Sequence, residues 1–193
     1  MKLYLAPLEG ITSYIYRKAL YQCFDGFDKY FIPFIRAKQN LNFSGREKKD
    51  ISLENNSGMY AVPQILSRNA DDFLRTANQL KEYGYQEVNL NLGCPSKTVV
   101  TKGCGAGFLT RPDELEQFLD RIFSKTDMKI SVKTRLGMED AEEFPRLMEI
   151  YNRFPMEELI IHPRVQKDFY KNIPNLEIFG EALAISKNSV CYN

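Results

Sequence analysis

The sequence predicts an α/β protein of the TIM (β/α)8-barrel type, incomplete and with about seven strands. Three observations support this prediction. Seven short apolar runs alternate with longer amphipathic segments, as in a parallel sheet covered by helices. Glycine or polar residues follow most of the runs, at the strand ends where such folds place their ligand sites. The pattern G-x-G-x-x-G does not follow the first run, which disfavours an open flavodoxin-like or Rossmann-like sheet.

Each apolar run has the length of a strand. The predicted strands cover residues 2–6, 29–33, 60–66, 87–92, 128–134, 158–162 and 189–192. Because a closed barrel needs eight strands and about 250 residues, we expect the eighth strand and the last helices to be missing. The two outer strands then stay exposed, or they take a partner strand from a second copy in a homo-oligomer or from a complementing segment.

The segments between the runs carry helix signals. The predicted helices cover residues 11–23, 69–83, 111–123, 140–154 and 175–186. The first has Thr12 or Ser13 as a candidate N-cap, and the second repeats apolar residues at the helical period. The third opens with a proline and two acids, which suit a first helical turn. Pro145 lies inside the range 140–154 and predicts a late start or a kink there.

Composition assigns the chain to the globular class and to one domain, residues 1–193. It is 44% hydrophobic and 26% charged, with a formal net charge of +1, which excludes a disordered or strongly basic protein. The apolar runs are too short for a secretion signal or a membrane span, so no membrane contact is expected. The four cysteines form no CxxC pair, which predicts free thiols in the reducing cytoplasm and no metal site.

Chemically distinctive residues occur at the ends of five predicted strands. They are the bent segment 6–10, Gln64, the pair Asn91 and Cys94, Lys133, and His162. Because barrel strands end at one common mouth, these groups are expected to surround a single hole. Such a set of hydrogen-bonding groups suits a heteroaromatic ring with carbonyl and ring-nitrogen atoms. A lysine beside the ring would stabilise electron density that develops there on reduction.

Each of these residues also has an ordinary structural explanation. Gln64 is equally compatible with a hydrogen bond to a neighbouring strand, and the single histidine, His162, with a satisfied core residue. Lys133 is compatible with a side chain that reaches the surface, and Cys94 with an inert buried thiol. Their joint occurrence at five strand ends favours a site.

The predicted loops after the strands concentrate positive charge. The basic residues there are Arg36, Lys38, Arg46, Lys48, Lys49, Lys97, Lys102, Arg164, Lys167 and Lys171, whereas the helices hold much of the acid. A chain of low net charge would then present a basic mouth that attracts a polyanion. Phe169 and Tyr170 lie among these residues and could stack on bases. A solvated loop surface is the alternative.

Six blocks, in order and spacing, resemble the tRNA-dihydrouridine synthases of the bacterial type. The blocks are LAPLEGIT at 5–12, PQIL at 63–66, NLNLGCPSK at 89–97, GCGAGFL at 103–109, KTRLG at 133–137 and IHPR at 161–164. Each block alone is weak, but the set is specific and extends over nearly all of the chain. The resemblance implies a flavin-binding TIM barrel followed by a small helical domain. It also implies reduction of the C5=C6 double bond of a uridine in tRNA, with FMN as cofactor and NADPH as electron donor.

The resemblance assigns roles to individual residues. The flavin-binding residues would be Pro7, Leu8, Glu9, Gln64, Asn91, Lys133 and His162. Cys94 would be the catalytic proton donor to C5. Asn91, Lys97 and Arg164 would contact the substrate nucleotide or its phosphates.

The chain departs from the family's pattern at its C-terminus. The resemblance implies that the strand ending at Asn193 continues into segments that hold the FMN phosphate, followed by the helical tRNA-binding domain. We therefore expect residues 1–193 to be the N-terminal part of the catalytic barrel, with weak FMN and tRNA binding and doubtful activity. One alternative is a non-catalytic fragment or remnant that folds only by association. A less favoured one is another FMN-dependent barrel oxidoreductase acting on a small molecule.

Overall fold

Seven parallel strands form one sheet, and each strand pairs with the next in sequence order. The computed structural model describes residues 1–24, 26–39 and 42–193. The strands are β1 (Tyr4–Leu5), β2 (Lys29–Arg36), β3 (Ala61–Leu66), β4 (Glu87–Leu92), β5 (Lys129–Arg135), β6 (Leu159–His162) and β7 (Val190–Tyr192). All seven predicted strands are confirmed. The unbroken order excludes the doubly wound alternative, in which the strand order reverses.

Helices connect the strands and cover the outer face of the sheet. They are α1 (Tyr14–Cys23), α2 (Gly45–Ile51), α3 (Ala70–Glu82), α4 (Lys97–Val100), α5 (Pro112–Lys125), α6 (Phe144–Tyr151) and α7 (Leu176–Ile185). None of the helices in the described part of the chain has the length and apolar character needed to cross a lipid bilayer. The sequence prediction missed α2 and α4, which are short.

The helix starts follow from local chemistry. The Asn69 side chain accepts a hydrogen bond from the backbone N–H of Asp72 at 2.9 Å and caps α3. Ser13 occupies the N-cap of α1 without a side-chain hydrogen bond. Pro145 lies in the first turn of α6, where its missing N–H costs nothing. The late start predicted for this helix is therefore confirmed.

Alternate residues of the central strands face opposite sides of the sheet. On β4, Val88, Leu90 and Leu92 are fully buried in the main apolar core, between the sheet and the helices. The intervening Asn89 and Asn91 are also buried but bond to side chains of neighbouring strands. The inner face of β4 is therefore polar and its outer face apolar. Asn91, on the polar face, belongs to the site described below.

Contacts between strands that are not neighbours show that the sheet curls around an interior. The Tyr4 hydroxyl, on β1, donates a 2.8 Å hydrogen bond to the Glu158 carboxylate, which precedes β6. Lys29 Nζ, at the start of β2, lies 3.5 Å from Oε2 of the same carboxylate. Phe31 of β2 and Ile160 of β6 belong to one small apolar cluster. These contacts confirm an incomplete TIM barrel.

The barrel wall is open between its first and last strands. In the described residues, β1 pairs with β2 alone and β7 with β6 alone. The helices next to the two outer strands in sequence carry exposed apolar side chains: Ile15 of α1 is 64% exposed, and Leu183 and Ile185 of α7 are each 56% exposed. Both edges therefore combine unpaired backbone groups with uncovered apolar surface, a combination that favours pairing with another segment.

Replacing Tyr4 with phenylalanine removes the phenol that donates to Glu158 and keeps the ring. We expect the free energy of unfolding, measured by urea denaturation, to fall by about 1.5–3 kcal/mol, the usual contribution of a hydrogen bond to a charged group. The same replacement at Tyr16, whose side chain is 45% exposed, should change it by less than about 0.5 kcal/mol. Unchanged stability in Tyr4→Phe would show that this contact does not hold β1 against the interior.

Candidate active site

A cavity of about 610 Å³ lies at the C-terminal ends of the strands. Its lining includes every residue predicted for the site except Lys97. These are Pro7, Leu8, Glu9, Gln64, Asn91, Cys94, Lys133, His162 and Arg164. The lining also includes Phe34, Arg135, Phe169, Tyr170 and Tyr192. The side chains predicted from separate strand ends therefore meet in one place.

The loop after β1 forms one wall of the cavity and is held in place by hydrogen bonds from a buried arginine. The backbone N–H of Leu8 donates to Thr12 Oγ1 at 2.9 Å. Arg17, which is fully buried, donates to the Thr12 carbonyl at 2.7 Å and to the Asp50 carbonyl at 2.6 Å. The sequence prediction missed Arg17, because its helical position does not reveal that it points inward. Its role is to hold the loop that presents Pro7 and Leu8.

A tight turn after β4 positions Cys94. The Asn91 side-chain oxygen accepts hydrogen bonds from the backbone N–H groups of Gly93 at 3.1 Å and Cys94 at 2.9 Å. Gly105 then packs against this turn with φ of +56°, and a Cβ there would lie 2.9 Å from the Cys94 carbonyl oxygen. The glycine is required by both its left-handed backbone and this close approach. The thiol is thus carried by a turn that is fixed on two sides.

Burial favours the protonated form of the Cys94 thiol. It is the largest influence on this group and raises its pKa, while the backbone N–H of Ser96 and the arginines Arg36 and Arg135 act in the opposite direction. The effect of burial prevails. A thiol in this state is suited to donate a proton rather than to attack as a nucleophile.

Two amides and a lysine form the polar wall of the cavity. Asn91 Nδ2 donates to Gln64 Oε1 at 2.7 Å, so the two amides hold one another. Lys133 lines the same cavity, and among the described residues its ammonium has no hydrogen-bond or ion-pair partner. Burial, with a smaller contribution from Arg135, lowers the Lys133 pKa to about 8. The lysine is therefore still mainly charged at pH 7, and no carboxylate of residues 1–24, 26–39 and 42–193 pairs with it.

His162 is neutral and has a defined tautomer. Its Nε2 lies 2.7 Å from an Arg164 guanidinium nitrogen. Because arginine can only donate, this nitrogen accepts, and the imidazole proton is assigned to Nδ1. Burial and the nearby cations Arg135, Lys133 and Arg164 lower the His162 pKa to about 3. The Tyr170 ring stacks on the imidazole with centroids 6.0 Å apart.

Arg135 connects two loops around the cavity. It is 1% exposed, and its guanidinium donates to the carbonyl oxygens of Gly93, Val165 and Phe169 at 2.7–2.9 Å. Phe169 has a positive φ of +51°, which this contact helps to fix. The sequence prediction included Arg135 in a motif without giving it a role. Its contacts show that it links the Cys94 turn to the loop after β6.

Lys97 lies outside the cavity lining, because it begins α4 and its side chain is exposed. Its predicted contact with a substrate stays a prediction. Most of the other predicted rim cations also lack carboxylate partners in the described part of the chain: Lys38, Lys48, Lys49, Lys102, Arg164, Lys167 and Lys171. By contrast, the helix acids Asp71 and Glu116 pair with arginines. These cations lie in the segments that follow the strands. The sequence placed Arg46, Lys48 and Lys49 in a loop, but in the structure they belong to the helix α2.

Comparisons with known proteins point to one family. The model of the family described as Dihydrouridine synthase (Dus) matches residues 4–179. "tRNA-dihydrouridine synthase B" of Pasteurella multocida is 24% identical over 95% of this chain and 56% of its own length. A "Probable tRNA-dihydrouridine synthase" of Staphylococcus aureus is 27% identical over 98% and 57%. "tRNA-dihydrouridine(16) synthase" of Shigella flexneri is 29% identical over 89% and 56%. The chain thus spans about half the length of these relatives.

The raised Cys94 pKa can be measured by alkylation with iodoacetamide, which reacts with the thiolate. We expect the rate at Cys94 to reach its half-maximum at a higher pH in the folded protein than in the urea-unfolded chain. The rates would be followed by mass spectrometry of the Cys94 peptide between about pH 6 and 10. A half-maximum at lower pH in the folded protein would mean that the thiol is activated, and would contradict its assignment as an acid.

Proposed function

This chain belongs to the dihydrouridine synthase family, and on that premise we propose that it carries the catalytic site for reducing uridine to 5,6-dihydrouridine in tRNA. The proposal includes FMN as the bound cofactor and NADPH as the electron donor. The observation that carries it is the meeting, in one cavity, of a protonated Cys94 thiol and the unpaired Lys133 ammonium. A proton donor and a cation that stabilises developing negative charge both assist the reduction of a conjugated carbonyl.

The residues of the cavity fit a flavin ring. Within the described part of the chain Lys133 has no anionic or hydrogen-bonding partner, and a pyrimidine carbonyl of the flavin would supply one. Gln64 and Asn91 each retain hydrogen-bonding capacity beyond their mutual contact. Pro7 and Leu8 offer an apolar edge. The volume of about 610 Å³ lies within the range of sites for flat heteroaromatic ligands.

Cys94 is proposed to complete the reaction by proton transfer. Bound reduced FMN would supply a hydride to C6 of the uracil. That addition leaves the electron pair of the C5=C6 bond on C5 and the adjacent carbonyl, and the thiol then donates its proton to C5. The S–H bond breaks, the C5–H bond forms, and the thiolate recovers a proton from solvent. The raised pKa of Cys94 favours the thiol until carbon becomes the stronger base.

The basic loops are proposed to hold the tRNA. The uridine must leave its stack to enter the cavity, and phosphate contacts elsewhere offset that cost. Lys97, Lys102 and Lys167 are exposed and unpaired in the described residues, so they are free to neutralise phosphates. Arg164 lines the cavity itself and is placed to contact the entering nucleotide.

The open wall is proposed to be closed by a further segment. A strand inserted between β1 and β7 would pair with both exposed edges, and a helix following it would cover Ile15 and Leu183. A second copy in a homo-oligomer, or a complementing segment, could supply this strand and helix. The relatives' greater length agrees with residues 1–193 being the N-terminal part of a flavin-binding barrel. The cysteines at 23, 94, 104 and 191 are free, which supports a reducing compartment such as the cytoplasm.

The function is tested by incubating the chain with FMN, NADPH and unmodified tRNA, and measuring dihydrouridine by mass spectrometry of nucleosides. Turnover is expected where the barrel wall is complemented, and Cys94→Ala should lower it by at least about 100-fold while leaving flavin absorption unchanged. Cys23→Ala is the matched control, because Cys23 is exposed and lies outside the cavity. Unchanged turnover in Cys94→Ala would remove the acid role.

FMN binding is expected to be weak for the monomer and to depend on Lys133. Titration of the monomer with FMN, followed by flavin fluorescence, should give a Kd above about 1 μM. The Kd should be lower under conditions in which sedimentation shows that the chain associates. Binding should weaken as the pH rises through about 8, because the lysine then loses the charge that attracts the ring. Lys133→Met should bind more weakly at pH 7 and lose this pH dependence, whereas Lys129→Met, on the same strand, should keep it. Sub-micromolar binding by the monomer would contradict the expectation of an incomplete site.

A further inference from the structure

A chain of side-chain hydrogen bonds runs through the barrel interior from β5 to the turn that carries Cys94. Asn89 Nδ2 donates to Ser131 Oγ at 3.0 Å, and Gln64 Nε2 donates to Asn89 Oδ1 at 2.7 Å. Asn91 Nδ2 donates to Gln64 Oε1 at 2.7 Å. The Asn91 oxygen in turn accepts from the Cys94 backbone N–H. Three amides and a hydroxyl therefore connect the interior to the thiol's own backbone.

The orientation of every amide in this chain follows from its end at Cys94. Backbone N–H groups can only donate, so Asn91 must present its oxygen to them and its NH2 group to Gln64. Gln64 must then present oxygen to Asn91 and NH2 to Asn89, and Asn89 presents NH2 to Ser131. Reversing any single amide would oppose two donors or two acceptors. The Ser131 hydroxyl can donate or accept, so it can form a hydrogen bond with either the oxygen or the NH2 group of Asn89.

Packing alone does not explain the polar residues at the end of this hydrogen-bond chain that is farthest from Cys94. Asn89 and Ser131 are 0% exposed and absent from the cavity lining. Other interior positions are apolar, including Phe31, Val62 and Ile160. A buried amide without partners is unfavourable compared with an apolar group of similar size. The presence of an asparagine at position 89 therefore points to its hydrogen bonds rather than to its volume.

We propose that Asn89, anchored on Ser131, is a positioning residue for Cys94. It fixes the Gln64 amide, which fixes Asn91, whose oxygen holds the Cys94 turn. The thiol is thereby held at the cavity wall. The orientation of the Gln64 and Asn91 amides is also fixed, so their free donor and acceptor positions face a ligand in one arrangement only. The inference rests on the proposed role of Cys94 as the proton donor, but its structural content concerns this chain alone.

The test is the native-state alkylation rate of Cys94 relative to that of exposed Cys23, measured by mass spectrometry well below the unfolding temperature. Asn89→Leu deprives Gln64 of its acceptor and frees the turn, so the ratio of Cys94 to Cys23 should rise by about tenfold. Ser131→Ala should shift it in the same direction by less. Asn89→Asp should retain the wild-type ratio, because the Ser131 hydroxyl can turn its hydrogen toward the carboxylate.

Thr76→Val provides the matched control. Thr76 is also buried, and its hydroxyl donates to the Asp72 carbonyl within α3, away from the cavity and Cys94. Its replacement should lower stability without changing the alkylation ratio. If Asn89→Leu does not fold, Ser131→Ala decides the question. A ratio within twofold of the wild type in the folded variants, or an equal shift in Thr76→Val, would overturn the proposal. Because the readout needs neither flavin nor tRNA, a failure of the proposed function leaves it interpretable.

Discussion

The two faces of the parallel sheet impose the constraint on which the rest of the molecule depends. Side chains alternate along each strand, so Leu90 enters the apolar core while Asn89 and Asn91 turn to the interior. A polar group buried there has little water to bind and must find a protein partner. The partners are the polar residues of adjacent strands, Gln64 and Ser131. Fold and site are thus coupled, because the hydrogen bonds that satisfy the interior also hold the residues of the cavity.

The open wall places a second demand on the same interior. A closed barrel holds its first strand from both sides, whereas β1 here is bonded to the sheet on one side. Contacts across the interior compensate in part: Tyr4 reaches Glu158, and Lys29 bonds to Glu87 at 3.0 Å and approaches Glu158. These contacts lie near the N-terminal ends of the strands. The cavity at the other end is therefore supported by its loops, by Arg135 and by the hydrogen-bonded amides of the interior.

The strands could be predicted from the sequence because each is a short apolar run ended by glycine or polar residues. The helix α2 was missed because it is short and mostly charged, although Ser44 and Glu47 form a capping box at its start. The convergence of site residues followed from the fold class. The buried contacts of Arg17 and Arg135 did not, since the direction of a long charged side chain depends on tertiary packing. Lys97 was predicted to contact the substrate. It is exposed at the start of α4 and outside the cavity lining, and its contact with a substrate stays a prediction.

Burial determines the charge of the cavity, and it affects each group to a different degree. It raises the pKa of Cys94, lowers that of Lys133 to about 8, and lowers that of His162 to about 3. In each case burial disfavours the charged form. At neutral pH the result is a protonated thiol, a neutral imidazole and a lysine that still carries most of its charge.

This combination is suited to reduction of a conjugated carbonyl. In the reaction proposed above, negative charge that develops on the substrate would meet Lys133 and Arg135 in a partly desolvated cavity, where electrostatic attraction is stronger than in water. The neutral His162 retains an N–H that can donate a hydrogen bond. Because it carries no positive charge, it does not compete with Lys133 for the negative charge on the substrate. As the pH rises through about 8, Lys133 loses its charge while Cys94, with its raised pKa, keeps its proton. The cation is therefore lost before the acid, and the alkaline limit of the site is determined by the lysine rather than by the thiol.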